Sequence, residues 1–247
     1  MFRTITLALL LSYACFSCQN SPAATESPET DAPNVEQEEQ QSSGSIMTEV
    51  VFNDSIDLPA SWTLIGEASG DLNKDELAER VLIVQATEAS EDAAPERRIR
   101  IYQRGYEAWS LWQEVAGGVL PADAGGMLGD PFQEVSIERS CIVLNHFGGS
   151  RIRWNYTHRY RWQNEAWEMI GATVVYGAPC DYWHEFDYNL STGKVVGKIE
   201  TEDCEKDSST TDGFEFTHQT RPLPTMEKYE PGTTAVAVPG RDLTFYF

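Results

Sequence analysis

Positive charge is scarce in this chain of 247 residues: 18 Lys and Arg stand against 39 Asp and Glu, a formal net charge of -21. Nucleic-acid binding needs a basic footprint that displaces counterions, so the balance argues against that class. Histidine is scarce too, with four residues and no HExxH or comparable ligand spacing. There is no GxSxG elbow, no phosphate loop and no dinucleotide fingerprint, so no nucleophile is paired with a base. Past the first few residues no apolar run is long enough to cross a bilayer, and no tandem repeat is evident. These absences weigh against an enzyme without naming what stands in its place.

What is present begins at the N-terminus. Arg3 is followed by an apolar run from Ile5 to Ala14, the layout of a secretory signal. The run ends in Ala14-Cys15-Phe16-Ser17-Cys18-Gln19, which resembles a bacterial lipoprotein signal of the looser Bacteroidetes type. The resemblance implies cleavage after residue 17 and diacylation of Cys18, with Cys15 as the fallback. Two acyl chains anchor a protein stably without a transmembrane helix. Residues 18–48 then form an acidic tether. Glu26, Glu29, Asp31, Glu36, Glu38 and Glu39 lie among Ser, Thr, Pro and Gln, with too little apolar surface to offset the entropy of ordering. The implied location is the cell envelope, at the outer membrane, with the lipid as the membrane partner. Residues 49–247 are long enough for one domain with its own core.

The most regular stretch of that domain is Arg151 to Trp162, RIRWNYTHRYRW. Trp154, Tyr156, His158, Tyr160 and Trp162 share one parity, and Arg151, Arg153, Arg159 and Arg161 the other. Side chains alternate across a strand, so this predicts one long strand with an aromatic and a basic face. The bland reading makes the rings core and the arginines solvated. The sharper one makes Arg151, Arg153, Arg159, Arg161, Trp154 and Tyr156 a site for a glycan or an anion, since rings stack on sugars and guanidinium forks fit oxyanions.

A second signal is Asp71-Leu72-Asn73-Lys74-Asp75-Glu76-Leu77-Ala78-Glu79, entered from the strand starting at Trp62–Ile65 through an expected turn at Gly66-Glu67-Ala68-Ser69-Gly70 and followed by the apolar run Val81–Val84. Oxygen ligands at positions 1, 3, 5 and 9, with a carbonyl at 7, wrap a calcium ion. Here they are Asp71, Asn73, Asp75 and Glu79, with the carbonyl of Leu77. Strand, GDLNKD loop and strand together resemble the calcium loop of FG-GAP and related β-propeller blade repeats, over about 20 residues. The sixth position, usually Gly in a left-handed turn, is Glu76, at a cost of about 1 kcal/mol. A degenerate loop that kept its shape and lost its ion is the competing expectation.

Turn signals partition the remainder into short strands: Arg104-Gly105, Glu138-Arg139-Ser140, Gly148-Gly149-Ser150, Asn164-Glu165 and Leu190-Ser191-Thr192-Gly193. Together with Gly129-Asp130-Pro131-Phe132, the Trp154–Trp162 strand and Tyr188–Lys194, they look like secreted bacterial proteins in which a GDLN loop precedes the same meander. The expected fold is all-β, mostly antiparallel, blade-like or sandwich-like. The hairpin at Thr192 sets Cys180 opposite Cys204, an expected disulfide, and leaves Cys141 as a buried thiol. Glu205 onward reads as loose until Leu243–Phe247 supply a closing strand. Asp181, Glu185 and Asp187 share a parity, with His184 on the other, a weak acid/base pattern.

These observations predict a non-catalytic binding or structural module of the cell envelope, stabilised by calcium. The competing class is a secreted hydrolase of glycan or peptide. The sequence sets no oligomeric state.

Overall fold

The structure is a computed structural model that describes residues 52–89, 91 and 93–247. The expected signal peptide, the expected acylation site Cys18 and the expected acidic tether lie outside these residues. The chain is all-β, and among the described residues the one helical element is a single 3-10 turn, Met226–Lys228. A first sheet is the four-stranded meander of β1 (Trp62–Gly70), β2 (Glu79–Ala86), β3 (Arg97–Arg104) and β4 (Trp109–Val115). The second, seven-stranded, runs in chain order through β5 (Phe132–Glu138), β6 (Cys141–Gly149), β7 (Arg153–Gln163), β8 (Ala166–Ala178), β9 (Tyr182–Asn189), β10 (Lys194–Asp203) and β11 (Ser208–Thr217). A short pair, β12 (Ala235–Ala237) and β13 (Thr244–Tyr246), ends the chain. Every ladder between strands is antiparallel.

The turns fall where the sequence marks them. Arg139-Ser140 and Asn164-Glu165 both have left-handed backbones, the two-residue turn whose twist suits a hairpin. Asn164-Glu165 sets Trp162 opposite Trp167. Two expectations need correction. Gly66 to Gly70 is strand rather than turn: a Cβ on Gly66 or Gly70 would sit 2.8 Å from Phe132 or Ile137, so these glycines let β1 lie close against β5. Residues 208–217 are an edge strand rather than loose chain, because Phe214 and Phe216 alternate inward among polar neighbours and join the core.

One apolar core draws on both larger sheets. Val81, Ile83, Ile99 and Ile101 come from the first, and Ile142, Leu144, Tyr160, Ala172, Val174 and Phe186 from the second. Trp112 of β4, Trp162 of β7 and Trp167 of β8 form an edge-on cluster with ring centroids 5.2 to 5.4 Å apart. Such pairs contribute about 0.5–1.5 kcal/mol each beyond their buried area. The predicted closing strand is present: Phe245 stacks on Phe186 at 4.2 Å, and Phe247 meets Tyr188 edge-on at 5.3 Å.

A polar junction also ties the two sheets. Buried Arg97 of β3 donates to Asp130, to the Leu120 carbonyl (2.9 Å) and to Gln85. Leu120 N–H in turn donates to Nε2 of His146 on β6, 3.3 Å away. Against the upward push of burial, the hydrogen bonds from Arg97 and the Phe132 N–H hold the Asp130 carboxyl below its usual range. The expected disulfide joins Cys180 to Cys204 with Cα atoms 5.1 Å apart, tying the turns after β8 and β10. Closing a loop of this size contributes about 3 kcal/mol.

Candidate functional site

The loop between β1 and β2 takes the shape its sequence predicts. Glu76 has φ of 68°, the left-handed backbone expected at the sixth position, and Lys74 has the same value. Asp71 accepts from the Lys74 and Glu76 N–H groups, Asn73 from Asp75 N–H and Asp75 from Leu77 N–H. Leu72 anchors the loop in the core, and its N–H donates to Glu79 at 2.7 Å. Glu79 is 1% exposed. Burial raises its carboxyl above the usual range, and the charges of Asp75 and Asp71 push the same way. Among the described residues no Lys or Arg pairs with Asp71, Asp75 or Glu79. The nitrogen of the Asn73 amide instead bridges Asp75 (3.0 Å) and Glu79 (3.2 Å). No three His, Cys, Asp or Glu side chains among the described residues gather as a metal-holding group. Asp71, Asn73, Asp75, Glu79 and the Leu77 carbonyl offer hard oxygens of the kind calcium takes, while in this structure the Asn73 oxygen accepts from the Asp75 N–H and its nitrogen faces the two carboxylates.

On the long strand, alternation is as predicted but the six proposed ligand residues do not make one site. The strand begins at Arg153, leaving Arg151 in the preceding bend, where it pairs with Asp181 at 3.0 Å. Trp154 and Tyr156 belong to the core side: Trp154 stacks on Tyr156 at 4.8 Å, and Tyr156 on buried His158 at 5.9 Å. Arg153, Arg159 and Arg161 lie on the opposite face. Eight residues of extended chain separate Arg153 from Arg161, about 27 Å. The rings thus face away from the guanidiniums, and the arginines divide between the two ends of the strand.

The Arg159–Arg161 end does contain a concavity. A cavity of about 350 Å³ opens there, lined by Arg139, Arg159, Arg161, Glu138, Asp187 and Asn189 around Gly171, with buried Cys141 at its edge. Arg159 donates to Thr173 Oγ1 at 3.0 Å, and Thr173 is 3.4 Å from an Asp187 oxygen. Among the described residues no carboxylate pairs with Arg139, Arg153, Arg159 or Arg161. Glu168 is the cross-strand neighbour of Arg161, yet it accepts from Gln163 (2.6 Å) and Asn164 instead. A bulge between β7 and β8 at Arg159/Tyr160, beside Ile170, shapes this end of the sheet.

The weak acid/base pattern is dispersed. Asp181 is tied to Arg151, Asp187 lines the cavity, and His184 packs edge-on to Tyr176 at 5.0 Å across the sheet. Reading by parity put His158 on the core face but missed two features, the place of Arg139 and the burial of His146. Arg139 reaches the cavity from a different hairpin, and only its unusual place in a two-residue turn hinted at a role. His146 and His158 are fully buried, and desolvation holds them at about 4 and about 3, so both imidazoles are neutral. Neither His158 nitrogen has a partner among the described residues. Their even spacing with core residues of β6 and β7 was the available signal.

No protein-family model, no curated protein and no solved structure matches this chain.

Proposed function

We propose that this chain is a non-catalytic binding module of the bacterial cell envelope, anchored through lipid on Cys18 at the outer membrane and stabilised by calcium at Asp71–Glu79. The observation that carries the calcium reading is Glu79: a carboxyl group almost wholly withdrawn from water, near Asp71 and Asp75, with no cationic side chain among the described residues to balance them. Asp71, Asn73, Asp75, Glu79 and the Leu77 carbonyl would hold the ion. Its role is structural, joining the end of β1 to the start of β2. The Cys180–Cys204 disulfide supports an oxidising compartment, in keeping with the signal sequence. Among the described residues no helix is long and apolar enough to cross a membrane.

The test is thermal unfolding of the full chain in detergent, in calcium and in excess chelator, for the wild type and Asp71→Ala. Calcium at a hundred times its dissociation constant should raise the wild-type melting temperature by about 5–10 °C and leave the variant unmoved. Equal melting in calcium and chelator for the wild type would mean that the loop kept its shape and lost its ion. Acylation is checked separately: Cys18→Ala should release the protein from the membrane fraction.

A further inference from the structure

We propose that the cavity between the β5–β6 turn and the outer face of β7, β8 and β9 binds a small hydroxylated oxyanion, of the size of a sugar acid or a sugar phosphate. The charge of the site is the first ground. Three arginines, Arg139, Arg159 and Arg161, share one concavity with Glu138 and Asp187, a lining with one more positive than negative side chain in a chain of net charge -21, and among the described residues none of the three is ion-paired with a carboxylate. Counter-charge is close at hand and used elsewhere: Glu168 accepts from Gln163 and Asn164, and Asp187 takes the Thr173 hydroxyl. Guanidinium forks left open in this way suit a carboxylate or phosphate, which each can grip through paired N–H groups.

Local geometry is the second ground. Arg139 has a left-handed backbone with φ of 50° in a turn that ordinarily takes Asn or Gly. That turn delivers its guanidinium to the cavity mouth. Gly171 forms the floor beside Arg159, where a Cβ would meet the Arg159 side chain at an ordinary contact distance of 3.7 Å. The volume of about 350 Å³ lies at the small end of the range for ligand pockets. Asp187, Asn189 and Glu138 supply acceptors and an amide for hydroxyl groups, and the one aromatic residue of the lining, Tyr188, has its ring buried in the core and not free for stacking. The chemistry is therefore a polar anion rather than a neutral glycan laid on rings.

The inference rests on the reading of the domain as a binding module and is independent of calcium. Isothermal titration of the full chain in detergent at low salt, with glucuronate, glucose 6-phosphate, inorganic phosphate and glucose, tests it. One of the two sugar oxyanions should bind with one site per chain, and glucose should not. Preference for glucuronate or for glucose 6-phosphate identifies the headgroup as carboxylate or phosphate. Arg139→Gln and Arg161→Gln should each weaken binding at least tenfold, whereas Arg153→Gln, on the same face but at the far end, should leave it unchanged. Melting temperatures equal to the wild type would show that the variants are folded. Absence of binding by either sugar oxyanion overturns the proposal, as does equal loss in Arg153→Gln and Arg161→Gln. If calcium still raises the melting temperature while no oxyanion binds, this inference fails and the calcium reading stands.

Discussion

Arginines are held in opposite ways on the two large sheets. On β2 and β3, Arg80 meets Glu67, Arg97 meets Asp130, and Arg98 and Arg100 share Glu114 at 2.7 and 2.6 Å. Three of these also lie over an aromatic ring, Arg80 above Trp109 at 5.6 Å and Arg98 and Arg100 above Trp62 at 5.7 and 5.1 Å, while Arg104 at the end of β3 meets no carboxylate among the described residues and lies over Phe52 at 4.0 Å. Leu82 and Val84 point toward this same outer face and are buried even so. Long arginine stems and the tryptophan cover apolar surface while their charged ends remain satisfied. On β7 the arginines of the outer face meet no carboxylate among the described residues, although the chain has acids in excess. One set of arginines is structural and the other is left open to solvent. The difference teaches that an excess of acids does not by itself pair every guanidinium: the first sheet holds its arginines with carboxylates and rings, and the outer face of β7 keeps its charge available.

Acid should break the comparison most strongly, on the structural side. His146 and His158 have folded values of about 4 and about 3, below the ordinary 6.5, because burial disfavours the imidazolium. Arg97 lies near His146 and opposes its charging, Asp130 favours it, and Arg159 and His146 oppose the charging of His158. A depressed histidine contributes stability above pH 6.5, and that stability is lost as pH falls toward the folded value. Each histidine should therefore remove about 1.4 kcal/mol per pH unit between 6.5 and 4. Urea unfolding across that range checks this. His158→Phe, which also removes two unpartnered nitrogens, should roughly halve the slope, and an unchanged slope would contradict the assignment.

A smaller effect is expected from Asp130→Ala. Its loss leaves the Arg97 charge buried with only Gln85 and the Leu120 carbonyl as acceptors. The cost should be about 3 kcal/mol by denaturant unfolding, below the top of the range for buried pairs because Asp130 itself is half exposed. The smallest effect is on the open side: Arg161→Gln should change stability by less than about 0.5 kcal/mol. If the two substitutions cost the same, the arginines of the two sheets are not different in kind.

Much of the fold was readable from local pattern because each feature is set within a few residues. Alternation from Trp154 to Trp162 determines which side chains enter the core. Asn164-Glu165 sets a hairpin register, and with it the pairing of Trp162 and Trp167. The hairpin at Thr192 carries Cys180 to Cys204. The residues of the Asp71–Glu79 loop are likewise close in the chain, and the resemblance to the FG-GAP-type loop implied the left-handed backbone at Glu76. The reading failed where polarity hid packing: β11 presents few apolar residues, and only the two phenylalanines that reach the core secure it. It failed again at Gly66 and Gly70, which resemble turn residues until β5 is placed against them.

The sequence by itself determined the all-β class, the strand alternation, the turn positions, the disulfide and the oxygen-ligand spacing of the loop, since all of these follow from short-range sterics and the period of a strand. Only the tertiary structure decided which arginines are neutralised and which remain open. It alone brought Arg139 beside Arg159 and Arg161, buried two histidines with no carboxylate hydrogen-bonded to them among the described residues, and joined Arg97 to His146 through Leu120. Those relations depend on charges and ring nitrogens meeting across hairpins and sheets, where the free energy comes from desolvation and pairing in three dimensions.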